Sequence, residues 1–172
     1  MNKTRNFTFL ALLTAFSVLL SLFENIIPLP IVAPGAKLGL PNMIILSSLV
    51  VFGFKESLTI NIVRTFLVLI IIGNPISFIY SFFGAVFSLI VMYIIHRYFS
   101  NYFSLIGVSI FGAIAHNTAQ VATASIILEN MNIFSYLPVM YLISLFTGFF
   151  VGFSSNFIIE QLNKVLYKVD WR

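Results

Sequence analysis

"GAIAHNTAQVATAS", residues 112–125, decides how the whole chain is read. It is a run of small and apolar residues into which His116, Asn117 and Gln120 are set. At the helical period, His116, Gln120 and Thr123 share one face, which Ser109 and Ala113 extend and Asn117 flanks, while Ile114 and Val121 point the other way. A soluble helix would turn such a face to water. The rest of the chain excludes that. Its 172 residues are 60% hydrophobic and 8% charged, with a mean hydropathy of +1.06, whereas soluble domains carry roughly a quarter charged residues. The composition is that of a membrane-integral protein, and in lipid a polar face turns toward other helices or a wet cavity.

Working outward, six segments are long enough to be read as spans, a helix needing about 17–25 residues to cross the hydrocarbon. They run approximately 6–25, 38–54, 56–73, 76–97, 104–128 and 137–166. The second and third are short for spanning helices, which leaves them little tilted or partly broken. Pro75 and Pro138 fit helix starts, where the missing N–H costs little. The expectation is an all-α membrane protein of six transmembrane helices forming a single domain over 1–172. Lys3 and Arg5 ahead of an apolar run resemble a secretory signal, but no small-residue cleavage site follows, and the run reads as a retained first helix. The chain has no cysteine, which excludes disulfides and thiolate metal sites.

Charge sets the expected orientation. With both termini cytoplasmic, Lys3, Arg5, Lys55, Arg97, Lys164, Lys168 and Arg172 lie inside and Lys37 outside, a clear positive-inside bias. The dispersed basic residues act as topology determinants, and the net charge of +4 is no sign of a nucleic-acid partner. The outward loop is then "IIPLPIVAPGAKLGLPN", residues 26–42, which holds four of the six prolines. Its prolines restrict φ and point to an ordered connector.

Arg64 is the remaining basic residue, placed inside the third helix. It stands nine residues before Gly73, about 13 Å below the outer boundary at the helical rise. Gln120 stands nine residues before Glu129, at the same nominal depth. One cation, one imidazole and two carboxamides therefore converge in the outer half of the bundle. Such groups suit a carboxylate, phosphate or carbonyl-bearing ligand; they also suit an internal hydrogen-bonded network that locks helix packing. Glu24, at the outer end of the first helix, can pair with Arg64 or with Lys37, and Lys37 and Asn42 stand where the loop would bring them to the mouth of a pocket.

Catalytic patterns are poor. Asp170 is the sole aspartate, so an aspartate-rich magnesium site for pyrophosphate cannot be built. No glycine-rich phosphate loop is present, and His96 and His116 lie on different helices, without the ligands of a metal site. No enzyme activity, cofactor or metal is expected, and no self-powered transport by ATP. Small residues at four-residue spacing supply packing seams: Ala11 and Ala15 in the first helix, Gly84 and Ser88 in the fourth, Ser144, Gly148, Gly152 and Asn156 in the sixth.

"ENIIPLPIVAPGAKLGLPN" (24–42), Arg64, "SFFGAVFS" (81–88) and "GVSIFGAIAHNTAQ" (107–120) together resemble the Gx transporter family, also called heptaprenyl diphosphate synthase component I. That family is in turn similar to the substrate-binding S components of energy-coupling factor transporters. The resemblance covers residues 5 to about 160 and implies a six-helix S-component-like bundle in the cell membrane, with a pocket on the outer side capped by the loop after the first helix. It implies that Ala11 and Ala15 match the Ala-xxx-Ala motif that docks on a shared coupling subunit, itself driven by ATPase subunits. The expected ligand-binding set is Arg64, His116, Asn117, Gln120, Lys37, Asn42 and Glu24, for a small anionic or polar organic molecule. The resemblance also implies an alternative: a non-catalytic membrane accessory subunit of prenyl diphosphate or quinone synthesis, or of flavin-based extracellular electron transfer.

Overall fold

The computed structural model describes residues 3–26 and 38–167. Six helices run in order: α1 Lys3–Ile26, α2 Asn42–Val51, α3 Phe54–Ile72, α4 Pro75–Tyr98, α5 Leu105–Ile127 and α6 Leu137–Tyr167. A 3-10 turn, Met131–Tyr136, leads into α6. Helix boundaries follow local chemistry. The Asn74 side chain accepts the Ser77 N–H at 3.0 Å with Pro75 in the first turn of α4, and the Ser104 hydroxyl caps α5 by accepting the Gly107 N–H at 3.4 Å. Gly73 ends α3 in the left-handed region at φ +70, which favours glycine.

The bundle is apolar outside and carries many polar side chains inside, beside an apolar core. Phe16, Ile70, Phe83, Ile126 and Phe146 are exposed, whereas Ser17, Ser47, Ser57, Asn61, Ser88 and Gln120 are buried. A protein in water would reverse this arrangement; in lipid it satisfies polar groups against one another. Four helical stretches are long and apolar enough to cross a membrane: Thr4–Ile26, Pro75–Tyr98, Leu105–Ile127 and Met131–Leu166. With 19 residues, α3 is also long, but it carries Lys55, Glu56 and Arg64.

The second helix departs from the 38–54 span expected from sequence. It covers only ten residues, a rise of about 15 Å and half the hydrocarbon thickness. Its start is set by a tight turn in which Gly39 takes φ +75 and the Asn42 N–H bonds to the Gly39 carbonyl at 2.8 Å. Its end is set by Gly53 at φ +101. Lipid does not dictate its length, because it lies inside the bundle: Ile44, Ile45, Leu46, Ser47, Ser48 and Leu49 are all buried. They form the core with Leu13, Ile60, Leu89, Met92 and Val108 from the surrounding helices.

Two glycine seams hold α5 between α4 and α6. A Cβ on Gly148 would lie 2.6 Å from the Ile110 Cα, and one on Gly152 would lie 2.6 Å from the Ile106 Cα. On the other side, a Cβ on Gly84 would lie 2.9 Å from the Gln120 Cγ, and one on Gly112 would lie 2.5 Å from the Met92 Cγ. The Arg5 guanidinium donates to the Leu166 carbonyl, so the start of α1 and the end of α6 meet at one end of the bundle. Ala11 and Ala15 lie on the exposed face of α1, whereas Leu13, Ser17, Val18, Ser21 and Glu24 face inward.

The seams make a direct prediction. Gly148→Val and Gly152→Val force backbone apart, and each destabilises the purified protein by roughly 1–3 kcal/mol, the range for overpacking. Thermal unfolding in detergent reads this as a lowered midpoint. An unchanged midpoint for both would show that α5 and α6 are not in backbone contact.

Candidate functional site

Arg64 sits on the inward face of α3 and is 6% exposed. One of its terminal nitrogens donates to the Ser21 hydroxyl at 3.1 Å and the other to the Asn61 side-chain oxygen at 2.8 Å. Asn61 precedes Arg64 by three positions, so helical geometry places it beside the guanidinium. The Asn61 amide in turn donates to the Ala85 carbonyl at 2.9 Å, and the Ser21 hydroxyl donates to the Ser17 carbonyl at 2.8 Å. Both acceptors are therefore fixed by bonds of their own. The Arg64 Nε–H is buried and has no hydrogen-bond partner among the described residues. Glu24, one turn beyond Ser21, supplies the carboxylate field that acts on Arg64, and it accepts the backbone N–H of Gly39. The acid thus ties the end of α1 to the turn that starts α2.

These groups border a cavity of about 30 Å³, room for one or two waters. Its polar wall comes from five elements: Ser21 and Glu24 of α1, Asn42 of α2, Arg64 of α3, Ser77 and Ser81 of α4, and His116 of α5. Val68, Leu69, Ile72 and Phe78 form its apolar side. A second cavity of about 10 Å³ lies across Asn42 and is lined by Ser109, His116, Asn117 and Thr147. Gly39, Asn42 and His116 border both. The half-length of α2 makes this possible, because its first residue stands between the two hollows. A larger hollow, about 630 Å³, is an apolar groove along α4 and α5 lined by Ile79, Phe83, Phe87 and Ala119. It lacks charged groups, so chemistry rather than volume selects the Arg64 cavity.

Of the residues singled out from sequence, Arg64, Glu24, Asn42 and His116 come together at the first cavity, and Asn42, His116 and Asn117 at the second. Gln120 lines neither. It is fully buried in the α4–α5 seam against Gly84, and neither of its amide atoms has a partner among the described residues. Lys37 lies outside the described residues. Sequence reasoning missed Ser21, Asn61, Ser77, Ser81 and Thr147. The available signal was phase: Ser17, Ser21 and Glu24 fall at four- and three-residue steps, as Asn61 and Arg64 do. Among the described residues, no three His, Asp or Glu side chains lie close enough to hold a metal ion.

The family model described as heptaprenyl diphosphate synthase component I matches residues 13–158. No curated protein and no solved structure matches the chain. The matched stretch takes in α2 to α5 whole, most of α1 and much of α6, and with them every cavity-lining residue named above. The chain belongs to the heptaprenyl diphosphate synthase component I family.

Proposed function

We propose that this protein is a non-catalytic membrane subunit that captures a small anionic organic molecule at Arg64. The observation that carries this reading is a guanidinium buried among lipid-spanning helices and lining a cavity, bonded to two neutral oxygens, with Glu24 as its acidic neighbour and one N–H unspent. A charge in that position is costly, by about 2.5 kcal/mol or more. A purely structural arginine would more economically be a neutral residue. A carboxylate or phosphate in the cavity would meet the guanidinium in charge-assisted hydrogen bonds, with Ser77, Ser81 and Asn42 as further polar contacts. The cavity is water-sized, so ligand entry requires the Gly39–Asn42 turn to move outward from Glu24.

The subunit is read as S-component-like, working with a coupling subunit and ATPase subunits of an energy-coupling factor transporter. Two features support it. Ala11 and Ala15 are on the exposed face of α1, where a partner helix can approach closely. The Arg5–Leu166 bond brings the starts and ends of the bundle together, as an even number of crossings with both termini cytoplasmic requires, and the positive-inside bias places them inside. The chain is then one multi-pass domain, residues 1–172, of the cell membrane, with its cavity on the outer side.

The family description favours a second reading, an accessory subunit of prenyl diphosphate synthesis. It shares the membrane-embedded, non-catalytic role and differs in partner. Flavin-based electron transfer is a further setting for the same role.

Two measurements test these readings. Thermal-shift screening of purified protein against prenyl phosphates, flavins, quinone precursors and vitamins should yield a stabilising hit, by about 2.7 kcal/mol at a hundredfold excess over Kd. Arg64→Gln should weaken that hit roughly ten- to a hundredfold, the worth of a charged hydrogen bond; undiminished binding would remove Arg64 from the site. Affinity purification from membranes should bring down coupling and ATPase subunits, and Ala15→Leu should abolish this. Recovery of a soluble prenyl synthase instead, unaffected by Ala15→Leu, would favour the second reading.

A further inference from the structure

Asn117 holds the most specific unspent group in the interior. It is 4% exposed and lines the smaller cavity. Its amide nitrogen donates to the Ser144 hydroxyl oxygen at 2.7 Å and toward the Met140 carbonyl at 3.4 Å. The Ser144 hydroxyl spends its own proton on the Met140 carbonyl at 2.8 Å. Both groups facing the Asn117 nitrogen are therefore acceptors. A reversed amide would turn its oxygen toward the Met140 carbonyl and would need the Ser144 hydroxyl to give up its own bond to that carbonyl, so the network favours the orientation in which the nitrogen faces both. The consequence is an Asn117 Oδ1 that is buried and has no donor among the described residues. Buried acceptors are rarely left so.

We propose that the two cavities are subsites of one chamber for a bipolar ligand. An anionic group sits at Arg64, and a hydrogen-bond donor, a hydroxyl or N–H, sits at Asn117 Oδ1. The proposal rests on the Arg64 reading above and adds the ligand's second end. Gly39, Asn42 and His116 border both hollows, so the partition is one side-chain layer thick. Asn42 is the first residue of α2 and follows directly on the Gly39–Pro41 turn. Displacing its side chain joins the hollows without breaking a helix. The two ends differ in chemistry: a cation with a spare N–H at one, a neutral acceptor with Ser109 and Thr147 at the other. A dianion would leave the Asn117 end unmatched, and a ligand with a single polar group would leave one end empty.

The test uses the full chain in lipid nanodiscs with two probe series, straight-chain carboxylates from butyrate to octanoate and their ω-hydroxy counterparts, followed by thermal shift and calorimetry at millimolar concentration. At one chain length the hydroxy acid should bind roughly two- to tenfold more tightly than its parent, the worth of one neutral hydrogen bond. Asn117→Ala should erase that ratio. Thr118→Val should keep it; it removes a neighbouring bond between α5 and α6, that of Thr118 to the Tyr141 hydroxyl at 3.0 Å, and so controls for a loosened seam. Equal binding of each pair at every length would overturn the bipolar chamber and leave a water at Asn117, with the Arg64 site intact. Failure of both series to bind would overturn the bipolar chamber, and the Arg64 reading is then decided separately by the phosphate, flavin and vitamin screen with Arg64→Gln.

Discussion

The guanidinium of Arg64, held inside a bundle whose outer surface is lipid-like, is the constraint on which the rest of the structure turns. It cannot face the hydrocarbon without a cost of several kcal/mol, so α3 must present it inward, and its neighbours must supply oxygens. Ser21 and Asn61 do so, each anchored by a further bond to backbone. The nearby carboxylate of Glu24 adds a compensating field and at the same time fastens the Gly39 turn. The charge that makes the site chemically capable also links three segments of chain around it.

Space for that arrangement comes from economy elsewhere. Because α2 spans only ten residues, its first residue, Asn42, borders a cavity together with polar side chains from α1, α3, α4 and α5. Because Gly84, Gly112, Gly148 and Gly152 let α4, α5 and α6 meet nearly backbone to backbone, His116 and Asn117 are carried to the cavities on a rigid element. A site on packed helices holds its geometry more closely than one on loops. In the proposed function the part that moves is the short Gly39–Asn42 turn.

Much of this was legible in the sequence, and the limits have physical causes. Helix existence followed from hydropathy, and the starts of α4 at Pro75 and of α6 next to Pro138 followed from proline's missing N–H. Arg64 declared itself because charge inside lipid needs a reason, and the His116–Asn117 face followed from the helical period. The length of α2 was not legible, since a buried helix in a bundle is as apolar as a spanning one, and only the φ of Gly39 and Gly53 shortens it. Gln120 shares the His116 face by phase alone, but the close approach of α4 at Gly84 places it in the seam rather than on a cavity wall. Ser21 was passed over, and Ser77 and Ser81 were read as small packing residues, because serine is common in membrane helices and nothing local marks one that will border a guanidinium across the bundle. Lys37, read either as a partner of Glu24 or as carried by the capping loop to the mouth of the pocket, falls outside the described residues.

The family carries a synthase component's name, and the described residues bring Arg64, Glu24, Asn42 and His116 to one cavity, where we propose that a ligand sits. The central claim of the favoured reading is a small acid bound at Arg64. Native mass spectrometry of the protein purified from its own membranes, alongside Arg64→Gln, tests that claim most directly. A single non-lipid adduct bearing a carboxylate or phosphate, present in the natural protein and lost in the variant, is the predicted result; a bare protein, or an adduct retained by the variant, would contradict it.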